Sequence, residues 1–168
     1  MTGHCPARRR LLAAVAAISL SGCGFRLRGP RPLPFESVHI ASAIGGELTR
    51  RVRKRIEAGG NTRIVATRGG AAVVLDLMGA DREKNIIGLS GAGKVREYEF
   101  VQNLRFRLLA ADGRELIPET RLTATREATW DDSAILAKDQ EEALLFSDME
   151  EELVRQLMRR LEAARPDA

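Results

Sequence analysis

The segment VREYEFVQNLRFRLLA (95–110) constrains the fold more than any other part of the chain. Tyr98, Phe100, Leu104, Phe106 and Leu108 alternate with Glu97, Glu99, Asn103, Arg105 and Arg107. A period of two over this length belongs to a strand with one buried and one polar face. A slip of one residue would exchange the two faces, so the register with its neighbours is firmly specified. The segment is therefore expected to lie inside a sheet, burying Phe100, Leu104 and Phe106. Aromatic residues make up only 4% of the chain, so the rest of that core must be aliphatic.

The flanking sequence supplies the neighbours. ADGRE (111–115) carries an Asp-Gly turn, and RLTATREATW (121–130) returns as an antiparallel strand. Pro118, just ahead of it, marks an edge strand or a bulge, because proline cannot donate to a ladder. On the other side, GLSGAGKV (88–95) reads as a glycine-rich hairpin tip. It leads back to AAVVLDLMGA (71–80), with Val73, Leu75 and Leu77 on one face. SVHIAS (37–42) is the first strand.

Two segments carry helical periodicity. In GGELTRRVRKRIEAGG (45–60), Leu48, Val52 and Ile56 recur every four residues and Gly59 is placed to end the helix. Its other face holds Arg50, Arg51, Arg53, Lys54 and Arg55, a run that is either simply solvated or meets an anionic partner. KDQEEALLFSDMEEELVRQLMRRLEAA (138–164) repeats Leu145, Met149, Leu153, Leu157 and Leu161. Asp139, Glu141 and Glu142 at its start and Arg159 and Arg160 near its end suit the helix dipole. The expected fold is α+β, in the order β-α-β-β-β-α. Both helices pack on one face of a mixed four-stranded sheet as a two-layer sandwich. The opposite sheet face is expected to be rich in charged and hydroxyl groups.

The N-terminus reads as an export signal. Arg8, Arg9 and Arg10 precede LLAAVAAISL (11–20), whose ten apolar residues fall short of the ~20 that a membrane span needs. Leu20-Ser21-Gly22-Cys23 resembles the bacterial lipobox, which implies cleavage before Cys23, lipidation of its thiol and a membrane anchor. Gly24 follows, where an aspartate would favour retention in the inner membrane. The expected organisation is a signal peptide at 1–22, a lipidated proline-rich tether at 23–35, one domain at 36–164 and a short tail at 165–168. Cleavage leaves 24 Lys and Arg against 23 acids, so the net charge of +4 belongs mostly to the signal and nucleic-acid binding loses its support.

Catalytic patterns are few. Gly88, Gly93 and Lys94 nearly spell a phosphate loop, but Val95 replaces the Mg²⁺-binding hydroxyl and a strand follows rather than a helix. After cleavage His39 is the single histidine and Cys23 the single cysteine, which supports neither metal nor Cys-His chemistry. No enzyme activity, metal or cofactor is expected.

Taken in order, GCGFRLRG at the lipidation site, REYEF after the glycine tip, and WDDSAILAKDQEE (130–142) resemble LptE, the LPS-assembly lipoprotein family. The resemblance covers essentially the whole chain after Cys23. It implies an outer-membrane lipoprotein lodged in the β-barrel protein LptD, acting as plug and assembly partner and binding lipopolysaccharide. It also implies lipopolysaccharide-binding cations. The family's lysine in LAKD is Lys138 here, and the basic residue of its hairpin tip aligns with Gly91, leaving Lys94 and then Arg96 as the nearest cations. Lipid A phosphates are anionic, and Lys and Arg bind them by charge-assisted hydrogen bonds. The competing expectation is a free-standing, periplasm-facing lipoprotein that binds a small ligand or an envelope polymer.

Overall fold

A computed structural model describes residues 32–131 and 135–165. The elements are β1 (Ser37–Ser42), α1 (Gly46–Gly59), β2 (Arg63–Ile64), β3 (Val73–Leu89), β4 (Val95–Ala110), β5 (Glu115–Thr129) and α2 (Ile135–Glu162). The fold is α+β, with a single mixed sheet in the order β2-β1-β3-β4-β5. β1 pairs in parallel with both β2 and β3, and β3-β4-β5 form an antiparallel meander.

The sheet has five strands rather than the four expected. The added one, β2, is a two-residue edge strand paired at Ser37–Arg63 and Val38–Ile64, too short to show any periodicity in sequence. β3 also runs nine residues beyond the expected end at Ala80; its distal half is largely exposed and DREKN (81–85) shows no apolar alternation that would announce a strand. β4 keeps the bounds read from its alternation. Phe100 is 1% exposed, and Leu104, Phe106 and Leu108 are fully buried. Gln102 shares that inward face. Its carbonyl oxygen is buried with no hydrogen-bond partner among the described residues.

β5 starts six residues earlier than expected, and Pro118 is both on an edge strand and in a bulge. Phe106 pairs with Thr120 and Leu108 with Ile117, so β5 takes one extra residue there. α1 is closed by Gly60, whose left-handed φ of 73° lets its N–H reach the Glu57 carbonyl. α2 begins three residues before the expected start, which leaves no acid in its first turn. The dipole match holds only at the C-terminal end, through Arg159 and Arg160.

The core lies between the helices and one sheet face. Leu48, Val52 and Ile56 from α1 meet Met149, Leu153, Leu157 and Leu161 from α2 over Val38, Val73, Leu75, Leu77 and the β4 residues. Leu33 and Phe35, at the end of the expected tether, join this core at 6% exposure each. Asn61 and Thr62 donate hydrogen bonds to the Leu33 and Phe35 carbonyls at 2.9 Å each. No helix among the described residues is long and apolar enough to cross a membrane. Cys23 lies outside the described residues.

Candidate functional site

β3 and β4 are long. At ~3.3 Å per residue, the 17 residues of β3 extend ~50 Å, well past the region where β1 pairs. Their proximal halves bury aliphatic side chains. Their distal halves carry a different chemistry on each face.

On the face opposite the helices, polar groups satisfy one another across strands. Asn103 donates to Asp81 at 2.7 Å and accepts from the Thr123 hydroxyl at 2.7 Å. The Arg107 guanidinium meets Asp76 at 2.9 and 3.0 Å, and Arg105 meets Glu119 at 3.3 Å. Gly79 leaves room for the Arg105 side chain, whose guanidinium would lie 2.6 Å from a Cβ at that position and would have to swing aside. This face is polar without being a row of unpaired charges.

On the helix face, the distal strands hold cations rather than aliphatics. Arg82 pairs with Glu150 at 2.5 Å and lies 4.8 Å from the Phe146 ring centroid. Glu150 is 4% exposed and also meets Arg51 at 3.2 Å, so this one carboxylate ties α1, α2 and β3 together. Lys84 pairs with Glu142 at 2.5 Å and sits 4.3, 4.4 and 5.4 Å from the Trp130, Tyr98 and Phe100 centroids. Tyr98 meets Trp130 edge-on at 5.2 Å, and Phe100 meets Phe146 edge-on at 5.6 Å. These contacts fasten the N-terminal half of α2 to the distal hairpin. Arg126 hydrogen-bonds Glu152, which holds that carboxyl below the usual carboxylate range despite an opposing effect of burial.

The sequence-predicted cations fall at this distal end. Lys94 is exposed in the hairpin turn, where its N–H is held by the Ser90 hydroxyl at 3.1 Å. Arg96 is exposed, and its carbonyl accepts the Trp130 N–H at 2.7 Å. Neither side chain has an ion pair or hydrogen bond among the described residues. Lys138 lies in the first turn of α2, and its side chain is 18% exposed and bonded to Glu141 at 2.7 Å. No contact among the described residues joins Lys138 to Lys94 or Arg96. Gly91 is exposed in the tip.

Beside these cations the tip exposes apolar groups: Ile86 at 56%, Ile87 at 44% and Leu89 at 62%. Sequence reasoning missed both this cluster and the Lys84 cage. The available signal was the alternation of Asp81, Glu83 and Asn85 with Arg82, Lys84 and Ile86. His39 has a structural contact in the sheet. Its ring Nδ1–H donates to the Val65 carbonyl at 3.1 Å, bracing β1 against the segment after β2.

Comparison with known proteins fits this architecture. The LptE family model, described as lipopolysaccharide-assembly, matches residues 35–161. An LPS-assembly lipoprotein LptE of Pectobacterium atrosepticum is 30% identical over 158 residues, covering 90% of this chain and 83% of that one. A protein of the same name from Photorhabdus laumondii is 29% identical over 154 residues with the same coverage. The solution structure of an uncharacterized lipoprotein B from Nitrosomonas europaea superposes with a TM-score of 0.71 at 34% identity, covering 83% of this chain and 91% of that one. The chain belongs to the LptE family of lipopolysaccharide-assembly lipoproteins.

Proposed function

We propose that this protein is an outer-membrane lipoprotein, anchored through Cys23, that occupies the lumen of an LptD-type β-barrel and binds lipopolysaccharide. The observation that carries the reading is the ~50 Å β3-β4 hairpin with a polar, self-satisfied outer face. A barrel lumen is polar, and the apolar band of such barrels is only ~25 Å tall. A hairpin of this length reaches through that band while offering the lumen wall hydrogen-bonding groups. Its distal end sets Lys94 and Arg96 beside Ile86, Ile87 and Leu89, a pairing that suits an amphiphile carrying both phosphates and acyl chains.

The action is steric and electrostatic rather than catalytic. The domain fills space in the barrel, supports its assembly and competes for lipopolysaccharide phosphates. The test is affinity purification of the tagged full chain from outer membranes in mild detergent. A barrel protein of several hundred residues retained through the wash is the expected result. A monomer with no barrel, recovered from membranes that contain one, overturns the reading.

A further inference from the structure

The long hairpin points one way, and the other end of the domain carries a charge pattern that the proposed function does not use. Of the five cations on α1, Arg50 and Arg51 are engaged by Glu47, Glu150 and Glu151. Arg53, Lys54 and Arg55 are exposed, and they have no ion pair or hydrogen bond among the described residues. They sit four to six residues before Gly59, ~6–9 Å from the end of the helix at ~1.5 Å per residue. Arg63, also exposed, follows at the start of β2. Glu47, Glu57 and Glu151 line the same surface as the α1 cations, together with Arg155, and leave it net positive.

This same end receives the chain from its N-terminus. Asn61, two residues past α1, holds the Leu33 carbonyl at 2.9 Å. Nine residues, 24–32, separate Leu33 from Cys23. Even fully extended, those ten steps span no more than ~35 Å. An acyl anchor on Cys23 would therefore hold Leu33, and with it this end of the domain, within ~35 Å of the bilayer, a reach that lets the cations of α1 meet its surface.

We infer that Arg53, Lys54 and Arg55 form a docking face for the anionic lipid headgroups of the membrane that holds the anchor. This inference rests on the proposed lipidation of Cys23. Clustered Lys and Arg beside a membrane are attracted by its negative surface potential, and the attraction fades within a Debye length. A single point of attachment at Cys23 does not by itself set the orientation of the domain. A charged face at the tether's root instead fixes α1 against the headgroups, with the β3-β4 tip directed away from them.

The experiment uses the full lipidated chain carrying Ala58→Cys, in which position 58 supplies the one free thiol for a donor fluorophore. The protein is reconstituted into zwitterionic vesicles and into vesicles with added phosphatidylglycerol, both holding headgroup-labelled acceptor lipids. Energy transfer is expected to be higher in the anionic vesicles. That excess is expected to vanish at ~1 M salt, where the Debye length is ~3 Å, and in the Arg53→Glu/Lys54→Glu/Arg55→Glu variant, whose fold is checked by circular dichroism. Equal transfer in both vesicle types overturns the proposal. So does a variant that keeps its transfer but loses a co-purifying protein, which would make the face a protein interface. The anchor is read separately by flotation with zwitterionic vesicles. If the protein fails to float, the tether argument falls, and the headgroup face then stands only if wild type floats with anionic vesicles and the triple variant does not.

Discussion

Phe106→Ala tests the central alternation of β4. Phe106 is fully buried, pairs with Leu77 on β3 and shares its face with the fully buried Leu104 and Leu108. A buried phenylalanine hides at least ~150 Å², which at ~25 cal/mol per Å² corresponds to about 4 kcal/mol. A compact denatured state already hides part of that area, taking back about a third. The cavity left behind acts in the opposite direction, because paired strands on both sides and α2 above leave little room to collapse. The expected cost is about 3–5 kcal/mol, the range for such core truncations. Trp130, the only tryptophan in the chain, packs edge-on against Tyr98 and reports unfolding by fluorescence. For a urea slope of about 2 kcal/mol per M, the midpoint should fall by about 2 M. Arg105→Ala, the adjacent residue on the opposite face, removes only a half-exposed ion pair and should cost under ~1 kcal/mol. A Phe106→Ala cost under ~1 kcal/mol, or a larger loss for Arg105→Ala, would refute the assignment of faces.

Gln102→Met should raise the urea midpoint, because it removes an unpartnered buried carbonyl that costs about 1–3 kcal/mol and conserves volume; a lower midpoint would mean that the amide is satisfied in the native state. The carboxyl of Glu152 is held below its usual range chiefly by Arg126, so its stabilisation is present above the ordinary carboxylate pKa and lost as pH falls through the lowered one. Glu152→Gln should therefore cost under ~1 kcal/mol at neutral pH, given the exposure of the pair, and the gap from wild type should close in acid. A gap that is independent of pH between neutral and acidic urea melts would contradict this. Lys94→Gln combined with Arg96→Gln should weaken lipopolysaccharide binding at low salt, with the loss shrinking as salt rises. Lys138→Gln should have the smaller effect, because Glu141 already occupies its ammonium; the reverse order in a binding titration would move the site to α2.

Local pattern was enough for β1, for the core of β3 and for β4, because a half-buried strand alternates and each residue's face follows from its neighbours. The apolar stripes of both helices were legible for the same reason, and so was Pro118 as a mark of the β5 edge. The distal half of β3 was not legible. Arg82 and Lys84 look like unpaired surface cations in sequence, and they are paired on the helix face because α2 returns Glu150 and Glu142, 68 and 58 residues later, to neutralise them. β2 owes its strand identity to pairing with β1, which two residues cannot announce. For the site, sequence named Lys94, Arg96 and Lys138 without separating the paired cation from those free among the described residues. Glu141 lies one turn beyond Lys138 on α2 and binds its ammonium, whereas the hairpin turn carries Lys94 away from every carboxylate among the described residues. The amino-acid order fixes which side chains alternate and recur. Helical spacing contains the Lys138–Glu141 pair, three residues apart, but the neutralisation of Arg82 and Lys84 depends on what the fold brings within a few ångströms, and no local window contains that information.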